Sequence, residues 1–167
     1  RYPNIKSYKA YSLSDKSKNM RFALSINGFH GSIMSLSGET YIDPYSSENI
    51  QDYMVYDVKD HNPDTYKGVN LCGVEDESRP DIHHFNPTLR NAEEVELRTY
   101  RLALACTGEW GRVTRRGTKE KCLADMNTMI NRLNIIYERE MAIRYIIIND
   151  NDKLIFLDPA TDPYENS

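Results

Sequence analysis

Apolar and polar residues alternate along the first third of the chain and change to a helical rhythm in the last third. From Ile5 to Tyr11 and from Met20 to Ile26 the alternation has the two-residue period of a strand with one covered face. Asn27-Gly28 is a hairpin signal leading into Gly31–Leu36, and Ser37-Gly38 is a second turn. Glu39–Asp43 and Tyr53–Val58 supply two more strands, with Pro44 stopping the former. The pattern predicts an antiparallel meander of about five strands, packed on a partner because so small a sheet buries too little alone.

Between Leu97 and Tyr164 the order becomes strand, loop, long helix, strand, turn, strand. Cys122, Leu123, Met126, Met129, Ile130, Leu133, Ile136 and Tyr137 recur at three- and four-residue steps, which lines them on one side of a helix. That places Asp125, Asn127, Asn131, Asn134 and Glu138 toward water. Thr118, after Gly117, can cap the helix by accepting an orphan backbone donor of the first turn, and Glu120 suits the positive end of the dipole. Tyr100–Cys106 and Ile143–Ile148 flank the helix as short buried strands, and Asn149–Asp152 turns the chain into Lys153–Leu157. A helix crossing between strands in this order opens an α/β unit with parallel strands, so the chain is α+β overall: an antiparallel β meander followed by a β-α-β-β unit.

From His61 to Glu96 regular patterning fades. Pro63, Pro80 and Pro87 interrupt it, and acidic residues such as Glu75, Asp76 and Glu77 outnumber Lys67, Arg79 and Arg90. This is a connector, long enough to be functional or a linker. The net charge of −4 over 167 residues argues against a general nucleic-acid binder, which needs a basic face. Arg112, Arg115 and Arg116 form a small basic cluster of the kind a solvated loop carries. No apolar run approaches the roughly 20 residues of a membrane span. The chain opens at Arg1 without Met and without a charged-then-apolar leader, so any secretory signal is expected to have been removed or to lie upstream.

Few residues offer chemistry. Cys72 stands in Val69-Asn70-Leu71-Cys72-Gly73-Val74 with no cysteine nearby; a thiolate there could fill the open coordination position of a zinc ion, and an inert thiol beneath a loop is the alternative. Cys106 and Cys122 bracket the loop before the helix. They are either a disulfide, closing a loop of about 15 residues for ~3 kcal/mol on the chain-entropy model, or two core thiols. His83 and His84 are adjacent and so point to opposite faces in an extended segment, which suits solvated residues better than one shared ion. Glu109 has no His or Cys beside it in sequence to make it a general base, and a structural role is expected. The Asn149–Asp152 run with Asp158 and Asp162 offers loop carboxylates that suit calcium, but the glycine and closing glutamate of an EF-hand loop are missing, and turn formation is the favoured reading.

The run Thr99–Ala105, then Thr107-Gly108-Glu109-Trp110, then Met126–Glu140, and finally Asp158-Pro159-Ala160-Thr161-Asp162-Pro163-Tyr164 resembles the start of the catalytic domain in bacterial reprolysin-like (adamalysin-type) zinc metallopeptidases of the metzincin clan. The first half resembles their prodomains more loosely, through Arg21-Phe22 to Gly28-Phe29-His30 and Tyr41-Ile42-Asp43-Pro44-Tyr45. The resemblance implies a β-rich prodomain-like region at 1–60, a connector at 61–96 and the N-terminal part of a catalytic domain at 97–167. It implies secretion, zinc as cofactor of the full-length enzyme, and protein or peptide substrates. Cys72-Gly73-Val74 is similar to the cysteine switch of such prodomains, which makes Cys72 the candidate zinc ligand of a latent form, although the Pro-Lys that often precedes the switch is replaced by Val69-Asn70. The motif His-Glu-x-x-His-x-x-Gly-x-x-His is absent and no His follows His84, so no catalytic residue is assigned and the piece is expected to be inactive alone. The rival expectation is a non-catalytic β-rich binding or interaction module.

Overall fold

The structure, a computed structural model, describes residues 2–60, 96–113 and 117–164. Cys72, His83, His84, Arg115 and Arg116 lie outside the described residues. Five strands, β1 (Lys6–Tyr11), β2 (Asn19–Ser25), β3 (Gly28–Ser35), β4 (Gly38–Pro44) and β5 (Tyr53–Asp57), pair antiparallel in sequence order. The meander is the one the alternation predicts, with one shift. The turns fall at Ile26-Asn27 and Leu36-Ser37, and the glycines after them, Gly28 and Gly38, take φ of +98° and +125°. A side chain is strained there, which is why a glycine follows each turn. Gly28 itself pairs with Ser25, so β3 begins three residues before Gly31.

The second unit is a parallel crossover. β6 (Arg98–Leu102) and β7 (Ile143–Ile147) pair in parallel, and α2 (Lys119–Glu140) runs between them in the chain. Thr118 caps α2 from an extended conformation, its Oγ1 accepting from the Lys121 N–H at 3.2 Å. The segment after Cys106, expected as a loop, is a short helix, α1 (Gly108–Val113). The expected last strand is reduced to one parallel bridge between Cys106 and Ile155, reached through a 3-10 turn over Asn151–Leu154. The cause is Asn151, 2% exposed, whose side-chain amide holds both backbone groups of Leu104 and draws the chain inward before it can extend.

α2 is covered on more than one side, and that corrects the expected helix face. Cys122, Ala124, Met126, Ile130 and Ile135 are buried as apolar residues of a packed helix, yet Asn131 and Asn134 are buried with them, and Met129 is half exposed. Cys122 and Met126 join Cys106 and Ile155 in an apolar core, with Leu104, Trp110, Leu123, Ile147 and Leu157 against it. The N-terminal sheet lies on another side, and the face it turns to α2 is rich in polar residues around buried Ala23 and Met34: Ser7, Lys9, Arg21 and Asp43 all reach α2 side chains. The polar positions of the helix therefore meet a second layer rather than water.

Candidate functional site

The sequence-based candidates within the described residues do not converge. Cys106 and Cys122 are both buried core thiols that form no disulfide; burial pushes the Cys106 thiol up, against a hydrogen bond with Cys122. Glu109 sits in the first turn of α1. The acidic turn is occupied by protein partners: Asp150 Oδ2 meets Lys153 Nζ at 3.2 Å, and the Asp152 carbonyl accepts from Lys119 Nζ at 2.8 Å. Asp162 Oδ2 accepts from the Gly108 N–H at 2.6 Å. Among the described residues no group of three His, Cys, Asp or Glu side chains could hold a metal ion.

What the fold does bring together is a pair of carboxylate hubs between the N-terminal sheet and α2. Glu138, near the end of α2, takes Lys9 Nζ of β1 at 2.8 Å on Oε2, and on Oε1 it takes Arg144 Nε of β7 at 2.5 Å together with Arg21 of β2. Its side chain is only 8% exposed. Burial alone would raise its pKa, but hydrogen bonds from Arg144 and Lys9 and the charge of Arg21 hold it below the ordinary value. Lys9 is shifted upward in return, its partner outweighing the burial that would lower it. Three cations from three strands thus close on one helical carboxylate. They line a cleft of about 390 Å³ between β1 and β7, whose polar wall also includes Asn127, Asn131 and Asn134.

The second hub is Asp43 on β4. His30 Nδ1 lies 2.6 Å from Oδ1, the Arg132 guanidinium of α2 donates to both oxygens at 2.5 and 2.6 Å, and the Tyr56 hydroxyl donates to Oδ2 at 2.7 Å. Arg132 also stacks over the Tyr41 ring at 4.4 Å. Burial would raise the Asp43 pKa, yet hydrogen bonds from His30, Arg132 and Tyr56 hold it well below the usual carboxylate range. Burial and the neighbouring Asp43 carboxylate push Tyr56 up to about 12. A third contact joins the β2–β3 turn to the helix start: Asn27 Nδ2 donates to the Lys121 carbonyl at 3.0 Å and to Asp125 Oδ1 at 2.7 Å.

Carboxylates so fully engaged are poor general bases, because each oxygen already accepts from a charged or hydroxyl donor and the anionic form is favoured. Their work is docking. The sequence carried a signal for it: Asn127, Asn131, Asn134 and Glu138 follow one another at four-, three- and four-residue steps, a polar stripe as regular as the apolar one.

The C-terminal turn shows why particular residues of the 107–164 stretch are fixed. A Cβ on Gly108 would lie 2.2 Å from the Pro159 nitrogen and 2.3 Å from the Asp158 carbonyl carbon, and one on Gly111 would lie 2.7 Å from the Phe156 carbonyl oxygen. α1 can press on the Asp158-Pro159 turn only because glycines face it. Asp158 in turn organises the bend, its Oδ1 accepting from the Ala160 N–H at 3.0 Å.

Searches of curated proteins and of solved structures gave no match to this chain. A family model does match, over residues 96–167, which span β6, α1, α2, β7 and the Asp-Pro turn. That family is the M12B reprolysin-like metallopeptidases, and residues 96–167 are what this chain shares with it.

Proposed function

We propose that this chain is the pro-region and the opening part of the catalytic domain of a secreted zinc endopeptidase acting on protein substrates. The observation that carries it is the coincidence of the family match at 96–167 with the β6–α2–β7 crossover, onto whose helix the N-terminal sheet is clamped through Glu138 and Asp43. Members of this family are zinc-dependent, and zinc supplies an activated water for peptide hydrolysis. The described residues of this chain do not fit the metal, since no three donors converge. Their part is scaffolding: α2 supports the strand pair, and the sheet covers the polar stripe of α2. Zinc ligands are then expected in the reading frame beyond Ser167, with Cys72 as the switch ligand of the latent form.

The test begins with that reading frame. Finding His-Glu-x-x-His-x-x-Gly-x-x-His downstream of Ser167 and chelator-sensitive peptidase activity in the longer protein is the expected result. The 167-residue chain alone is expected to hydrolyse nothing. A frame without the motif, or a longer protein with no metal-dependent activity, overturns the proposal and leaves the binding-module alternative. In the longer proform with connector cleavage blocked, Cys72→Ser is expected to raise activity, because a neutral hydroxyl is a poorer zinc ligand than a thiolate. Equal, near-zero activity in both forms would remove Cys72 from the proposal.

A further inference from the structure

The N-terminal sheet is amphipathic in an unusual sense. Its more polar face is the covered one, with Ala23 and Met34 as the buried apolar residues on it, and the face turned away from α2 is mostly apolar. Register sets this: Arg21 and Ala23 of β2 face the helix side, so Met20, Phe22 and Leu24 face outward, and cross-strand pairing puts Tyr8, Ile33, Ile42 and Val55 on the same outer face. An aromatic row crosses it. Tyr8 stacks on Phe22 with ring centroids 5.0 Å apart, Phe22 lies 5.5 Å from Phe29, and Phe29 meets the edge of Tyr53 at 6.1 Å. None of these rings is buried, and Val55 is 66% exposed. Five strands at about 4.8 Å spacing and roughly 20 Å length make a face of about 500 Å² in projection, and more once side-chain relief is counted. Two such faces together bury over about 1,000 Å², the size at which an interface becomes specific. A patch of this size is at the upper end of what monomers expose, and such patches are often functional.

The occupant is indicated by charge. Among the outward strand positions only Lys6 and Asp57 are charged, and they occupy diagonally opposite corners; within its own chain Asp57 accepts from the Thr40 hydroxyl at 2.6 Å and meets the exposed Lys59 Nζ at 3.4 Å, and its side chain stays 40% exposed to a further cation. Lys6 lies at the end of β1 level with Leu24 and Phe29; Asp57 lies at the far end of β5, level with Thr40, Ile33 and Met20. A two-fold axis lying in the face, perpendicular to that diagonal, carries each Lys6 onto the Asp57 of another copy. It also crosses the strands of the two sheets at about 70°, close to the orthogonal mode of sheet packing. We infer that this outer face is a self-association surface, on which a second copy of the chain packs sheet to sheet with Lys6 of each copy against Asp57 of the other.

The experiment is sedimentation equilibrium of the 167-residue chain from about 1 to about 100 µM, a range over which a mass-action dimer shows itself. A mass rising to that of two chains is expected. Val55→Asp, at an exposed edge position, is expected to return the monomer mass with an unchanged far-UV spectrum. Lys6→Glu is expected to weaken association at least about tenfold by facing two like charges, and Lys6→Glu with Asp57→Lys to restore it, because the pair is reversed in both halves of the symmetric contact. A monomer mass at every concentration, a dimer indifferent to Val55→Asp, or a double variant no better than Lys6→Glu overturns the inference.

Discussion

Asn134 on α2 holds both backbone groups of Tyr145 on β7: its Nδ2 donates to the Tyr145 carbonyl at 2.8 Å and its Oδ1 accepts from the Tyr145 N–H at 2.7 Å. β7 pairs with β6 on one side only among the described residues, so the side-chain amide does on the other side what a neighbouring strand would do. Asn151 makes the same two-point contact with Leu104, at 2.9 and 3.1 Å. Asn134→Ala leaves a donor and an acceptor unpaired beside a buried helix face and is expected to cost about 2 kcal/mol. Asn134→Asp keeps the shape but loses the donor, and is expected to cost at least as much. Urea midpoints check the stability, and amide exchange at Tyr145 checks the site. An unchanged midpoint with unchanged exchange would show that the contact contributes nothing.

The Glu138 hub makes a second test. Glu138→Gln keeps the side-chain shape but removes the counter-charge from Arg21, which is only 8% exposed. Breaking a buried pair from one side costs about 3–5 kcal/mol; with Lys9 and Arg144 a third exposed and able to rehydrate, about 2–3 kcal/mol is expected. Arg21→Met with Glu138→Gln removes both charges and is expected to be less harmful than the sum of the single changes. Additive losses in the denaturation midpoints would show that the two residues are not coupled.

These two contacts mark where the sequence stops being legible. The strands of the meander, the Thr118 cap and the β6–α2–β7 order follow from local rules: period-two alternation, turn glycines, a capping hydroxyl and an apolar three-four rhythm. Asn131, Asn134 and Glu138 do not, because polarity places a helical residue toward water unless a second layer covers it; that layer is β7 for Asn134, and for Asn131 and Glu138 it includes strands more than a hundred residues earlier. The β structure after α2 is likewise shorter than its composition suggests. Lys153–Leu157 has the composition of a strand, but Asn151 is anchored to Leu104 before the run can pair along its length. Hub partners such as His30, Arg132 and Tyr56 lie on three elements and share no motif, so only the folded geometry assembles them around Asp43.

Gly108 is the sharpest steric test in the reprolysin-like segment. Gly108→Ala would set a methyl group against backbone atoms of Asp158 and Pro159 at 2.3 and 2.2 Å, and backbone cannot step aside as a flexible side chain can. The 2.6 Å hydrogen bond from the Gly108 N–H to Asp162 would be strained by the same shift. A loss of about 2–3 kcal/mol is expected, in the range of other overpacked sites. Gly117→Ala, where no atom lies within 4 Å but φ is +61°, is expected to cost only about 1 kcal/mol. Midpoints in the reverse order would show that the packing of α1 on the Asp-Pro turn is not as close as the structure has it.

Acid and alkali are expected to loosen the N-terminal sheet from α2 by different groups. Asp43 and Glu138 both have folded pKa values below their ordinary 3.8 and 4.5. As the pH falls into that region the unfolded chain takes up protons first, so the stability these groups contribute is complete above about pH 5 and is lost progressively below it. Glu138 is faced by Lys9, Arg21 and Arg144, and Asp43 by His30, Arg132 and Tyr56, so protonation leaves cations on both sides of the interface without counter-charge. Tyr56 has the opposite sign. Its pKa rises from 10.0 to about 12 on folding, the folded state keeps the proton longer, and its contribution is lost as the pH climbs through that interval. Urea midpoints followed across the pH range are therefore expected to be level in the neutral region and to fall at both ends. Asp43→Asn with Glu138→Gln is expected to flatten the acid limb, and Tyr56→Phe the alkaline limb. An acid limb of the same steepness in the double variant would place the acid sensitivity in other carboxylates and deny the two hubs their role in holding the sheet to α2.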